Sequence, residues 1–99
     1  MQSCGLSDHE LQLILGALSR HDRVTGALLF GSRAKGTASA VSDVDIALEG
    51  IDDPLQAEAI AADLEDLPLP YRFDVKALAC ITSAPLRSHI ERLGVRIYG

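Results

Sequence analysis

Asp43 and Asp45 are separated by one residue, in the run Ser42-Asp43-Val44-Asp45-Ile46-Ala47-Leu48. In a strand, residues two apart point to the same face, so the two carboxylates stand side by side while Val44 and Ile46 go to the opposite face. Like charges so close repel, and a hard cation such as Mg²⁺ removes that repulsion. Taken alone, the pair also suits a half-exposed strand with a polar outer face. Asp74 is the third carboxylate, set between Phe73 and Val75 in a later strand-like run. If the two strands pair, it faces the same spot. Three carboxylates on adjacent strands suit a two-metal site, in which ions roughly 3.5 to 4 Å apart hold a polyphosphate and lower the pKa of an attacking hydroxyl.

The second chemical element is the turn after Phe30, spelled Gly31-Ser32-Arg33-Ala34-Lys35-Gly36. Gly31 lets a ligand approach the backbone closely, and Ser32 to Lys35 can start a short helix whose free amides suit a phosphate. Arg33 and Lys35 are near enough to add positive charge. By itself, such a turn is weak evidence and reads first as an ordinary strand-to-helix junction with a capping serine. Lys35 precedes Gly36, so the Gly-Lys-Ser/Thr ending of a P-loop is missing, and no G-x-G-x-x-G occurs anywhere.

Several elements must position these groups. Ser7 and Glu10 form a capping box, with Leu6 stapled to Leu11, and Leu11, Ile14, Leu15 and Leu18 continue as one apolar stripe to about Arg20. Val24 to Phe30 is nearly all apolar, as a central strand covered on both faces would be. Val44 to Leu48 is the second strand. Asp53-Pro54 opens another helix with an N-cap and a first-turn proline, and Ile60, Leu64 and Leu67 mark its buried face. Pro68 and Pro70 stop it, and Tyr71 to Leu78 is the third strand. A last helix from Ser83 should bury Leu86, Ile90 and Leu93 and end on a left-handed Gly94, with Val95 to Tyr98 as a strand or extended arm. This alternation predicts an α/β sandwich with a small mixed or parallel sheet flanked by helices, residues 1–99 forming a single domain.

Composition narrows the function. The 99 residues are 47% hydrophobic and 23% charged, enough for one core. The net charge of -5 disfavours a protein that coats nucleic acid. Charge is unevenly spread, with four basic and twelve acidic residues in 1–67 but five basic and two acidic in 68–99. The tail is either a solvated basic face or a docking surface. No apolar run reaches the length of a membrane span and Met1 to Leu6 lacks signal-peptide character, so a cytoplasmic protein without membrane association is expected. Cys4 and Cys80 have no metal-binding spacing and are expected as plain thiols, Cys80 filling the core beyond the third strand. His9, His21 and His89 share no zinc spacing and suit surface or capping roles. Tyr71 and Tyr98 are expected to pack rather than stack on a base.

Gly31-Ser32, ten further residues, Asp43-Val44-Asp45, and a later strand with Asp74 resemble the minimal nucleotidyltransferases of the DNA polymerase β-like superfamily. The likeness spans nearly the whole chain, through the ending His89-Ile90-Glu91-Arg92-Leu93-Gly94-Val95-Arg96-Ile97-Tyr98. The resemblance implies a polymerase-β-like fold in which Asp43 and Asp45 bind two Mg²⁺ ions. Asp74 would bind the catalytic ion and help activate the nucleophile. Gly31 and Ser32 would hold the phosphates of ATP, assisted by Arg33 and Lys35. A chain this short has little surface for a second substrate, so the acceptor hydroxyl is expected on a partner. Members of this kind are commonly encoded beside a small helical HEPN toxin, act as its antitoxin and transfer AMP to a toxin tyrosine, which is the function, and the neighbouring-gene partner, the resemblance implies here. Two other readings stay open: an antitoxin that only occludes its partner, and a nucleotidyltransferase of RNA or a small molecule. Homo- and hetero-oligomers are equally compatible with the sequence.

Overall fold

The structure is a computed structural model that describes residues 6–31 and 43–99. The expected short helix at Ser32 to Lys35, and Cys4, lie outside the described residues. Helix α1 (Asp8–Ser19) begins as its capping box requires: the Glu10 amide donates to Ser7 Oγ at 3.2 Å and the Ser7 amide donates to Glu10 Oε1 at 2.9 Å. Strand β1 (Gly26–Phe30) is buried at every position, as its apolar run predicts. Strand β2 (Val44–Glu49) lies antiparallel to it, and so does β4 (Val95–Tyr98) on its other side. Strand β3 (Phe73–Ala77) runs parallel to β2, giving a mixed sheet of order β3-β2-β1-β4.

A parallel pair needs a crossover. Here it is α2 (Pro54–Glu65), started by Asp53, whose carboxylate accepts from the Leu55 amide at 2.9 Å. Strand alternation divides the apolar side chains between two faces. Ala27, Leu29, Val44, Ile46, Leu48 and Phe73 face α1 and α2, and Ile14, Leu18, Ile60 and Leu64 from those helices complete the main core. Leu28, Phe30 and Ala47 face the other way, toward Ile90 of α3 (Ala84–Leu93). The protein is thus the expected α/β sandwich, with one thick core and one thin one. The thin side matters for function, because that face of β2 also carries the odd-numbered residues Asp45 and Glu49.

Polar ties fix the elements around the core. His21 Nε2 lies 2.7 Å from Asp63 Oδ2 and joins the end of α1 to α2. The Tyr71 hydroxyl donates to Glu10 Oε2 at 2.9 Å, joining the approach to β3 with the first turn of α1. Arg96 Nη1 donates to Glu49 Oε1 at 2.7 Å, and this hydrogen bond holds the Glu49 carboxyl below the usual carboxylate range. The pair links β4 to β2 directly over Gly26 of β1, where a Cβ would strike both Glu49 Oε1 and Arg96 Nη1. At this first position of β1 the missing side chain is what lets the ion pair cross.

Three sequence expectations need correction. Gly94 is not left-handed: its φ of -64° and ψ of 143° are extended, and the chain passes straight from α3 into β4. The position needs glycine for space, since a Cβ would run into the Ile90 carbonyl oxygen. Leu93 is 48% exposed rather than buried. Among the described residues, the buried sheet side chains in the cluster with α3 are Leu28, Phe30 and Ala47, joined by Leu78, Ile81 and Leu86, and Ile90 is the helix residue buried there, not Leu93. The third strand is also shorter than Tyr71 to Leu78, because residues Leu78–Cys80 wind into a 3₁₀ turn. Val95 to Tyr98 proves to be a true strand. Among the described residues, no helix is long and apolar enough to cross a membrane.

Candidate active site

The parallel register of β2 and β3 pairs Asp45 with Asp74, so the two carboxylates occupy adjacent strands on one face. On the other side of β2, the antiparallel register sets Phe30 against Asp45, and the chain leaves β1 at Gly31 immediately afterwards. Gly31 has a φ of 75°, a conformation that L side chains rarely adopt. A Cβ there would strike Asp45 Oδ2. The glycine turn and the central carboxylate are therefore in direct contact, with Asp74 on the far side. Asp43 lies one residue before β2 and is exposed.

The Asp45 carboxyl is raised above its ordinary pKa, first by burial and then by the negative charges of Asp74 and Asp43. Lys76 acts in the opposite sense on Asp45. Its ammonium lies 3.3 Å from Asp74 Oδ1, two residues along the same strand face. Burial with like-charged neighbours disfavours the folded state, so the row of acids is not there for stability. Among the described residues, no three His, Cys, Asp or Glu groups are already gathered to hold a metal ion. The acids share a face and a field, and Lys76 is the cation that answers them.

Of the residues expected at the site, Gly31, Asp43, Asp45 and Asp74 are described, and the structure pairs Asp45 with Asp74 on one sheet face and sets Gly31, one residue past the end of β1, against Asp45. Ser32, Arg33 and Lys35 lie outside the described residues. Lys76 is the residue that sequence reading missed, although its i+2 spacing from Asp74 carries the signal. The basic tail largely resolves into internal contacts. Lys76 pairs with Asp74 and Arg96 with Glu49, while Arg87 donates to the Leu78 carbonyl at 3.2 Å and lies 3.7 Å from Glu91. Tyr71 and Tyr98 pack against the main core, as expected. Cys80 is a free thiol that packs against the same core but is only partly buried.

A mixed sheet thus carries an acid pair across β2 and β3 beside a glycine of positive φ at the end of β1. The family described as "Polymerase beta, Nucleotidyltransferase" matches residues 12–99, so the chain belongs to the polymerase β nucleotidyltransferase family and is a nucleotidyltransferase domain. Solved structures agree on the fold. A chain of a toxin-antitoxin crystallised with AMP-PNP superposes with a TM-score of 0.73 at 25% identity, covering 95% of this chain and 74% of that one. A chain of the toxin-antitoxin MntA-HepT gives a TM-score of 0.71 at 22% identity, covering 94% and 73%. No curated protein sequence matches the chain.

Proposed function

We propose that this domain transfers AMP from ATP, with Mg²⁺, to a tyrosine hydroxyl of a HEPN-type toxin, and so serves as the antitoxin of a toxin-antitoxin pair. The observation that carries the reading is the Asp45–Asp74 register with Gly31 against Asp45, an acid pair beside the glycine that ends β1. The similarity to a toxin-antitoxin crystallised with AMP-PNP supports both the nucleotide and the kind of partner.

The donor set suits a hard cation: carboxylate oxygens only, with a central carboxyl raised above its ordinary pKa first by burial and then by the charges of Asp74 and Asp43. Asp43 and Asp45 would hold two Mg²⁺ ions and Asp74 one of them. When bound, the ions neutralise the triphosphate and lower the pKa of the acceptor hydroxyl. The chain's own groups do the rest. Gly31 leaves room for the phosphates, with Ser32, Arg33 and Lys35 continuing that turn in sequence. Asp74 takes the hydroxyl proton as the tyrosine oxygen bonds to the α-phosphorus. The bond to the β-phosphate then breaks and pyrophosphate leaves. Catalysis of this kind is positioning and charge stabilisation rather than covalent chemistry on the protein.

Titration calorimetry with AMP-PNP tests the nucleotide and metal parts together. Binding should require Mg²⁺ and weaken at least tenfold when EDTA removes it. Equal affinity with and without the metal would contradict the assignment of the three aspartates.

A further inference from the structure

Among the described residues, Lys76 is the cation that touches the acid row, and β3 fixes it there. Two residues apart on one strand, Asp74 and Lys76 share the sheet face that Asp45 occupies on β2. The register partner of Lys76 is Ala47, fully buried and without a polar side chain, so the lysine stem has apolar ground beside it. Ile81 and Leu86 line the same groove as that stem. A lysine so placed buries its methylenes and carries its ammonium out to a charge. The charge it reaches is Asp74, with Nζ donating to Oδ1 at 3.3 Å. Glu49, further along that face of β2, is already held by Arg96 at 2.7 Å. Asp74 is thus engaged by an ammonium, and the described acids are not gathered into a ready metal cage.

We infer that Lys76 is the resident counter-ion of the acid row: it holds the Asp74 carboxylate while no metal is bound and gives that oxygen up when a divalent cation enters. The inference rests on the metal reading above and adds an order of events to it. A cation held by Asp43 and Asp45 has no lysine contact to break. One that draws on Asp74 must first part Asp74 from Lys76, so it binds the more weakly of the two. The Asp74 and Lys76 side chains are both about half exposed, and ion pairs of that kind are weak. A hard divalent ion with twice the charge of an ammonium therefore displaces Lys76 instead of being shut out by it. Lys76 acts through Asp74 and is a positioning residue.

Calorimetric titration of the full chain with Mn²⁺ alone, in the absence of nucleotide, tests this role. Lys76→Met keeps a long apolar stem and removes the charge, so it should tighten Mn²⁺ binding about threefold or more. Lys76→Arg keeps the charge and should stay within about twofold of the wild type. Asp74→Asn removes the other half of the contact, and in that background Lys76→Met should change the affinity by less than about twofold. A gain that persists in full without Asp74 overturns the inference, because Lys76 then acts only as a distant charge. Mn²⁺ binding that is the same in the wild type and in a folded Lys76→Met overturns it too, and leaves the metal reading standing. Absence of Mn²⁺ binding from the wild type and every variant at millimolar concentration overturns both. Tighter binding by Lys76→Met from a chain that transfers no AMP supports the counter-ion and removes the transfer reading.

Discussion

Asp45→Asn is expected to lower AMP transfer about 10³-fold or more while leaving the domain at least as stable as the wild type. The carboxyl is the centre of the acid row, paired with Asp74 across the ladder and touching Gly31. An amide keeps its shape and removes its charge, so cation binding fails while packing survives. The stability side follows from the raised pKa, which burial, Asp74 and Asp43 produce. An acid whose folded pKa lies above its unfolded value favours folding when protonated, and that advantage is lost as pH rises through the folded pKa. At neutral pH the ionised Asp45 therefore opposes folding. In metal-free buffer, Asp45→Asn should raise the urea midpoint at pH 7, and the gain should shrink as pH falls below the raised pKa. A variant that folds, melts like the wild type and still transfers AMP would remove Asp45 from the chemistry.

Gly31→Ala should harm both stability and transfer. A non-glycine residue at a φ of 75° costs about 1 to 2 kcal/mol. For a domain of this size, that is a drop in Tm of about 4 to 8 °C per kcal/mol. The added methyl also displaces Asp45 Oδ2, and a misplacement near 1 Å at a reacting centre can cost about 10²-fold in rate. Gly16→Ala provides the control. Nothing lies within 4 Å of a Cβ at that position, which is exposed on α1, so the substitution should stabilise the helix by about 0.5 to 1 kcal/mol. Thermal unfolding of the two variants with an AMP-transfer assay separates them, and matching effects would show that Gly31 has no special role.

The sequence made the site legible because its signals are local. Asp43-Val44-Asp45 carries the strand period in its own spelling, Gly31 ends an unmistakable buried strand, and Asp53-Pro54 and Ser7 with Glu10 mark helix starts by side-chain chemistry that the structure reproduces. What was not legible depends on partners distant in sequence. Leu93 reads as core by helical spacing, yet it is exposed and takes no part in the cluster around Ile90. Gly94 reads as a left-handed cap, whereas its glycine answers the Ile90 carbonyl. Gly26 has no local reason at all, and only the Glu49–Arg96 pair passing above it gives one. Lys76 belongs to an intermediate case. Its spacing from Asp74 is visible in the chain, but its importance appears only when the register brings Asp45 beside them both.

The central claim is that this acid row moves AMP onto a partner, and intact mass spectrometry of the neighbouring-gene protein tests it most directly. That protein should be incubated with this chain, ATP and Mg²⁺, beside an Asp45→Asn control. Mass increments in whole AMP steps are expected with the wild type and none with the control. A partner that binds tightly yet gains no mass would contradict transfer and make the domain an occluding antitoxin on a nucleotidyltransferase scaffold.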